Sequence, residues 1–362
     1  MVSRTGLYVL LFGASGCFTS TDPSIVDTEQ AGSTSTGVTS SDTTGSPATE
    51  GPSSTTPATM TSSSSGVDTD PTAESTTADP TSVDTDSTGA GGCNDASAPC
   101  PESQYCVRGT CQDPPANMVA VPGGPFMMGC SDSDPLCDDD ESPYHEVTLS
   151  PFAIDRYEVT LGEYRACMDA TSCTVPAYDW ASCVFSADSS EANPIDCVSW
   201  LQAQAYCAWN DKRLPTEAEW EKAARGTDER IFPWGDQPAS CTYAVMADCD
   251  FFNDTPRAMD VGSKPAGASP YGALDMAGNV YEWVYDWYAP GFYVASPDEN
   301  PTGPKSAPAD GTHSARGGSF SRGAHEMRAS DRGASHPEFN SVWLPEDAGA
   351  VGVGFRCAAS PE

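Results

Sequence analysis

Between residues 117 and 359, apolar and polar positions follow two different periods. MVAVPGGPFMMGC and HEVTLSPFAIDRYEVT mix apolar and polar positions in alternation, with β-branched and aromatic residues. This is the period-two pattern of strands, and Gly and Pro punctuate it as turns. Three stretches read as helices. Thr160 is placed to cap LGEYRACMDA and Ser199 to cap WLQAQAYCAWN. Thr216 with Glu219 makes a capping box for EAEWEKAAR, which Gly226 stops. Beyond Gly226 come long runs dense in Gly, Pro, Trp and Asp, with little periodicity and no internal repeat. The pattern predicts an α+β domain with little regular structure.

Upstream the pattern disappears. Residues 18–92 are Ser, Thr, Asp, Pro and Gly with almost no large apolar side chain and no Lys or Arg. Such a segment cannot bury enough surface to offset the entropy of ordering, so a disordered, solvated linker is expected. Residues 93–115 then carry Cys93, Cys100, Cys106 and Cys111. Four cysteines allow three connectivities. None of the paired C-x2-C spacings of a zinc site occurs, so a small disulfide-bonded module is expected.

The first 17 residues have one basic residue, a short apolar run from Leu7 to Phe12 and then small residues. A membrane-spanning helix needs about 20 apolar residues, so this reads as an export signal. Its end, Ala14-Ser15-Gly16-Cys17, resembles the lipobox of bacterial lipoproteins, with lipidation at Cys17. The chain would then be exported and lipid-anchored in a bacterial cell envelope, at the outer membrane or cell surface. Fifteen cysteines in 362 residues agree with an oxidising compartment; one spent on lipid leaves an even fourteen for pairing. Acidic residues number 52 against 17 basic, a formal charge of −35, so nucleic acid is not an expected partner.

Four ordered segments carry a family resemblance: DESPYHEVTLSPFAIDRYEVT, RLPTEAEWEKAARG with FPWGD, YGALDMAGNVYEWVYDWY, and RGGSF with GVGFRC. Residues 117–359 resemble the formylglycine-generating enzyme, or sulfatase-modifying factor, family. The resemblance implies that family's α+β fold, related to C-type lectins and stabilised by disulfides and calcium. It assigns calcium ligands to Asp275, Gly278, Val280 and Glu282, the glycine and valine through their carbonyls. Hard oxygens of this kind suit that ion. It also implies a disulfide between Cys207 and Cys357. Proximity alone suggests the pairs Cys130/Cys137, Cys167/Cys173, Cys183/Cys197 and Cys241/Cys249.

The enzyme's chemistry, oxidation of a sulfatase cysteine to formylglycine, uses two cysteines shortly after the GGS segment to bind copper(I), a soft ion that wants thiolates. Ser319 matches the family serine, but residues 320–327 are Phe-Ser-Arg-Gly-Ala-His-Glu-Met. No cysteine lies between Cys249 and Cys357, so copper lacks its ligands. Ser319, Arg322 and His325 are the candidate groove residues. Ser321 lacks the first glycine of a nucleophile elbow, and His325 and Glu326 on one strand would point to opposite faces. An iron site could assemble from His313, His325 or His336 with a carboxylate, without support from the spacing. Arg322, Arg328 and Arg332 are expected to pair with carboxylates, and Trp283 and Trp287 to fill core. Two functions follow. One is a non-catalytic module binding a protein, peptide or glycan. The other is an oxidoreductase of the formylglycine-generating type, or a non-heme iron oxidase.

Overall fold

A computed structural model describes residues 104–360, with Cys93, Cys100 and Pro101, except 177–182, 184–188, 248, 250, 253–254, 310, 336–340 and 343–350. The export signal, Cys17, the linker 18–92 and His336 lie outside the described residues. Among the described residues no helix is long and apolar enough to cross a membrane.

The cysteine-rich module is a hairpin, β1 (Tyr105–Val107) with β2 (Thr110–Gln112), held by Cys93–Cys106 and Cys100–Cys111. Tyr105 is buried against Met118, Ala120 and Ala153. The main domain continues with β3 (Met118–Val121), β4 (Gly124–Met128), β5 (His145–Leu149) and β6 (Phe152–Asp155). The β4–β5 pair alternates buried and accessible positions, as a half-buried hairpin should; β3 and β6 are buried at every position.

Helices α1 (Leu161–Asp169), α2 (Trp200–Trp209) and α3 (Glu217–Arg225) start at Thr160, Ser199 and Thr216. All three have reciprocal capping boxes, where the sequence indicated one. Short strands β7 (Phe251–Phe252) and β8 (Thr255–Pro256) follow. The centre is a closed five-stranded ring of β9 (Tyr281–Trp287), β10 (His313–Arg316), β11 (Gly333–Ser335), β12 (Ser341–Val342) and β13 (Val351–Phe355). Within this ring the β13–β9 contact is parallel and the other pairings are antiparallel; β14 (Ala358–Ala359) then joins β6.

Strand β9 is buried on both faces from Tyr281 to Val284. Trp283 sits in one apolar cluster with Tyr164, Tyr206 and Phe355, while Val284 joins a second with Trp220, Phe152 and Ile154. Trp283 fills core as expected; Trp287, partly exposed, stacks on His313 at 3.7 Å instead. Cys207–Cys357 ties α2 to the end of β13, and Cys130–Cys137, Cys167–Cys173, Cys183–Cys197 and Cys241–Cys249 form as the spacing suggested.

Candidate functional site

Segment 317–333 leaves β10 through two glycines in left-handed conformations, Gly317 (φ 90°) and Gly318 (φ 68°). A Cβ on Gly318 would sit 2.5 Å from the Glu326 carbonyl oxygen, so any larger residue collides there. Ser319 follows, fully buried. Its Oγ lies 3.3 Å from Ser321 Oγ and accepts the Ser321 N–H at 3.4 Å. The Phe320 N–H donates to Asn279 O at 2.8 Å and pins the turn to the entry of β9. The Arg322 N–H donates to Ser319 O at 2.9 Å, and the Ala247 N–H donates to Arg322 O at 2.7 Å.

His325–Met327 is a single 3-10 turn, not a strand, so the opposite-face expectation for His325 and Glu326 does not apply. Both carboxylates nearest the partly exposed His325 come from elsewhere: Asp138 lies 3.5 Å from Nε2 and Asp331 3.7 Å from Nδ1. One ligand atom from each of the three lies within 4.8 Å of the others. The fully buried Arg328 competes for the same carboxylates, 3.7 Å from Asp138 and 3.5 Å from Asp331. Arg328 also holds Glu141 through Nη1 at 2.7 Å and Nη2 at 2.5 Å, and Asp134 at 3.2 Å. Burial drives the Asp331 carboxyl up to about 8, against the pull of Arg328. Arg332 likewise pairs with Glu217, Nε and Nη2 donating at 2.8 and 2.9 Å. Arg328 and Arg332 meet the expectation. Arg322 does not: it is 7% exposed, makes no ion pair among the described residues, and its Nε and Nη2 have no partner. Asp331, the aspartate of the same segment, is held by Arg328 and His325 instead.

His313 belongs to another place. It lies between Trp200 and Trp287, its ring centroid 4.0 and 3.7 Å from theirs, and its Nδ1 donates to Asp286 O at 3.0 Å. Its Nδ1 is taken by that carbonyl, and among the described residues no group of metal-ligating side chains includes His313.

Two residues of the expected calcium site, Asp275 and Glu282, contact Arg356. Glu282 receives Nε and Nη2 of Arg356, both at 2.6 Å, and the Trp220 indole N–H at 2.9 Å. The Arg356 Nη2 also donates to the Asp275 carbonyl at 3.2 Å. Asp275 adopts φ 57° and its carboxylate accepts the Gly262 N–H at 2.5 Å. Gly278 is held by its N–H to Gly317 O, and a Cβ there would lie 2.2 Å from Val245 O. The Val280 N–H donates to Glu158, a third buried carboxylate. Burial, with Asp275 and Glu282 beside it, pushes the Glu158 carboxyl well above its ordinary range; burial raises Asp275 to about 6. Of these three buried carboxylates only Glu282 is ion-paired among the described residues, with Arg356; Asp275 and Glu158 accept from neutral N–H groups of Gly262, Val280 and Asn279. That excess of hard, negatively charged oxygen fits a divalent cation. Glu158 also lines a cleft of about 380 Å³ with Asp155, Glu163 and Lys212. The sequence reading missed Glu158, whose only local signal is a carboxylate flanked by Tyr157 and Val159.

Copper fails the same test. Every cysteine from Cys93 onward is in one of seven disulfides, and residues 319–333 hold none. No thiolate pair is available beside Ser319.

A disulfide-stapled α+β domain around a small strand ring, with a glycine-led buried serine turn, defines the class. The chain belongs to the formylglycine-generating enzyme family: residues 104–361 match the Sulfatase-modifying factor enzyme 1-like domain. It is 34% identical over 296 residues to a formylglycine-generating enzyme of Thermomonospora curvata, covering 67% of this chain and 93% of that one. It is 33% identical over 219 residues to a hercynine oxygenase of Mycolicibacterium smegmatis, covering 52% and 48%. Among solved structures it resembles PvdO from Pseudomonas aeruginosa, with a TM-score of 0.54 at 28% identity, covering 67% of this chain and 93% of that one.

Proposed function

We propose that this protein is an exported, lipid-anchored component of a bacterial envelope, at the outer membrane or cell surface, whose family domain binds a protein, peptide or glycan rather than oxidising one. The observation that carries the reading is the state of the thiols. Copper(I) oxidation needs thiolate ligands, and disulfide bonding engages every cysteine of the folded domain. Cys17 is the one cysteine left over, at the end of a segment that reads as an export signal. The linker 18–92 suits presentation, since it would carry the domain away from a membrane surface. Calcium held by Asp275, Glu282 and the Gly278 and Val280 carbonyls would be structural, neutralising a buried negative cluster.

The relationship to hercynine oxygenase favours one competing reading, an iron oxygenase with its metal at Asp138, His325 and Asp331. Arg328 lies beside both carboxylates and offsets their charge, whereas at Glu282 the buried carboxylates of Asp275 and Glu158 leave negative charge beyond what Arg356 offsets. Metal analysis of the full-length protein decides between the two, together with oxygen consumption in the presence of a sulfatase-motif peptide. The expected result is calcium without copper or iron and no turnover. Stoichiometric iron or copper with peptide-dependent oxygen uptake would refute the binding reading.

A further inference from the structure

Six arginines of the domain are buried: Arg225, Arg316, Arg322, Arg328, Arg332 and Arg356. Five of them have carboxylate partners. Arg332 and Arg356 use the same edge, Nε with Nη2, to hold both oxygens of one carboxylate at 2.6–2.9 Å. Arg322 has the same two nitrogens buried, and among the described residues they meet no acceptor.

We propose that the side-on edge of Arg322 is a binding site for the carboxylate of a ligand, the charged group by which this domain grips its partner. A buried guanidinium without a counter-charge is strongly unfavourable, so a site that keeps one is built for an anion supplied from outside the fold. Of the acids in the same segment, Asp331 is held by Arg328 and His325, and Glu326, whose carboxylate lies beside Gly323, forms no ion pair with Arg322 among the described residues. The Arg322 peptide groups are fixed at both ends, by Ser319 and by Ala247 of the loop that Cys241–Cys249 closes. The turn that carries this edge is therefore rigid. A carboxylate fits better than a phosphate because one guanidinium supplies one positive charge, and the next arginine of the segment, Arg328, is already engaged by Glu141 and Asp134. The assignment deepens the binding reading by naming the group bound. It can fail alone, since the argument from the thiols does not use Arg322.

The test is thermal unfolding of the full-length protein at constant ionic strength. The probes are acetate, an acetylated tripeptide with a free C-terminus, and the same tripeptide amidated. Acetate and the free acid are expected to raise Tm by a few degrees at saturation, and the amide to do nothing. Arg322→Met should unfold at or above the wild-type Tm without ligand and lose the response. Arg322→Lys, keeping the charge without the fork, should bind about tenfold more weakly. A free-acid response larger than that of acetate would identify a peptide terminus as the source, and an equal one a small carboxylate; both support the site. An equal response in Arg322→Met would overturn the proposal, as would a lowered Tm in that variant with no response in wild type, which would mean that the fold's own carboxylate fills the edge.

Discussion

His313 shows how an enclosed side chain turns a ring into a pH-dependent contribution. Two indoles strip it of water, and burial lowers its pKa from 6.5 to about 4, outweighing the hydrogen bond to the Asp286 carbonyl. A depressed folded-state value means that the unfolded chain takes up the proton first. The stability contributed by neutral His313 is therefore complete above pH 6.5 and is lost as pH falls toward 4. His313→Phe keeps a ring between the indoles and removes the ionisation. Urea unfolding at pH 7 and pH 4 should show the wild type losing up to about 3 kcal/mol more than the variant over that interval. Parallel pH profiles for the two proteins would mean that the imidazole is solvated.

Helix α3 delivers a whole face of charge into the interior. Glu217 takes Arg332 and Arg316, Glu221 takes Arg316 and Arg225, and the Glu217 N–H reaches Asp286 at 2.8 Å. These contacts need the first turn in register, which the Thr216 and Glu219 box sets, with Arg213 bracing Glu219. Thr216→Ala should cost about 1 kcal/mol in urea unfolding and Thr216→Ser much less, since serine caps equally well. Equal losses would point to the threonine methyl group instead. The helices were legible because caps and spacing are local signals. Strand β9 was legible only through its family motif: with Tyr281, Glu282, Trp283 and Val284 all buried, it has no inside–outside alternation to read. The site was less legible still. Arg328 finds Glu141 across 187 residues and Arg356 finds Glu282 across 74, so no local pattern announces either pair. The unmatched Arg322 emerges only once those pairs are assigned.

Across the whole molecule, a formal charge of −35 is spread over the domain and the residues before it, and the domain itself is made largely of short strands and irregular backbone, a poor basis for stability by secondary structure alone. Covalent closure compensates in proportion to the chain it restrains. Cys207–Cys357 spans 150 residues, whereas Cys167–Cys173 spans 6, and three of those four cysteines are fully buried. If the bridges act by limiting the unfolded ensemble, replacing both cysteines by alanine should cost about 5 kcal/mol for the long bridge and about 2 kcal/mol for the short one. Losing two packed sulfurs is common to both variants, so the difference isolates the loop. Equal losses in guanidinium unfolding would assign the effect to packing, and the long bridge would then be no more than a local staple between α2 and β13.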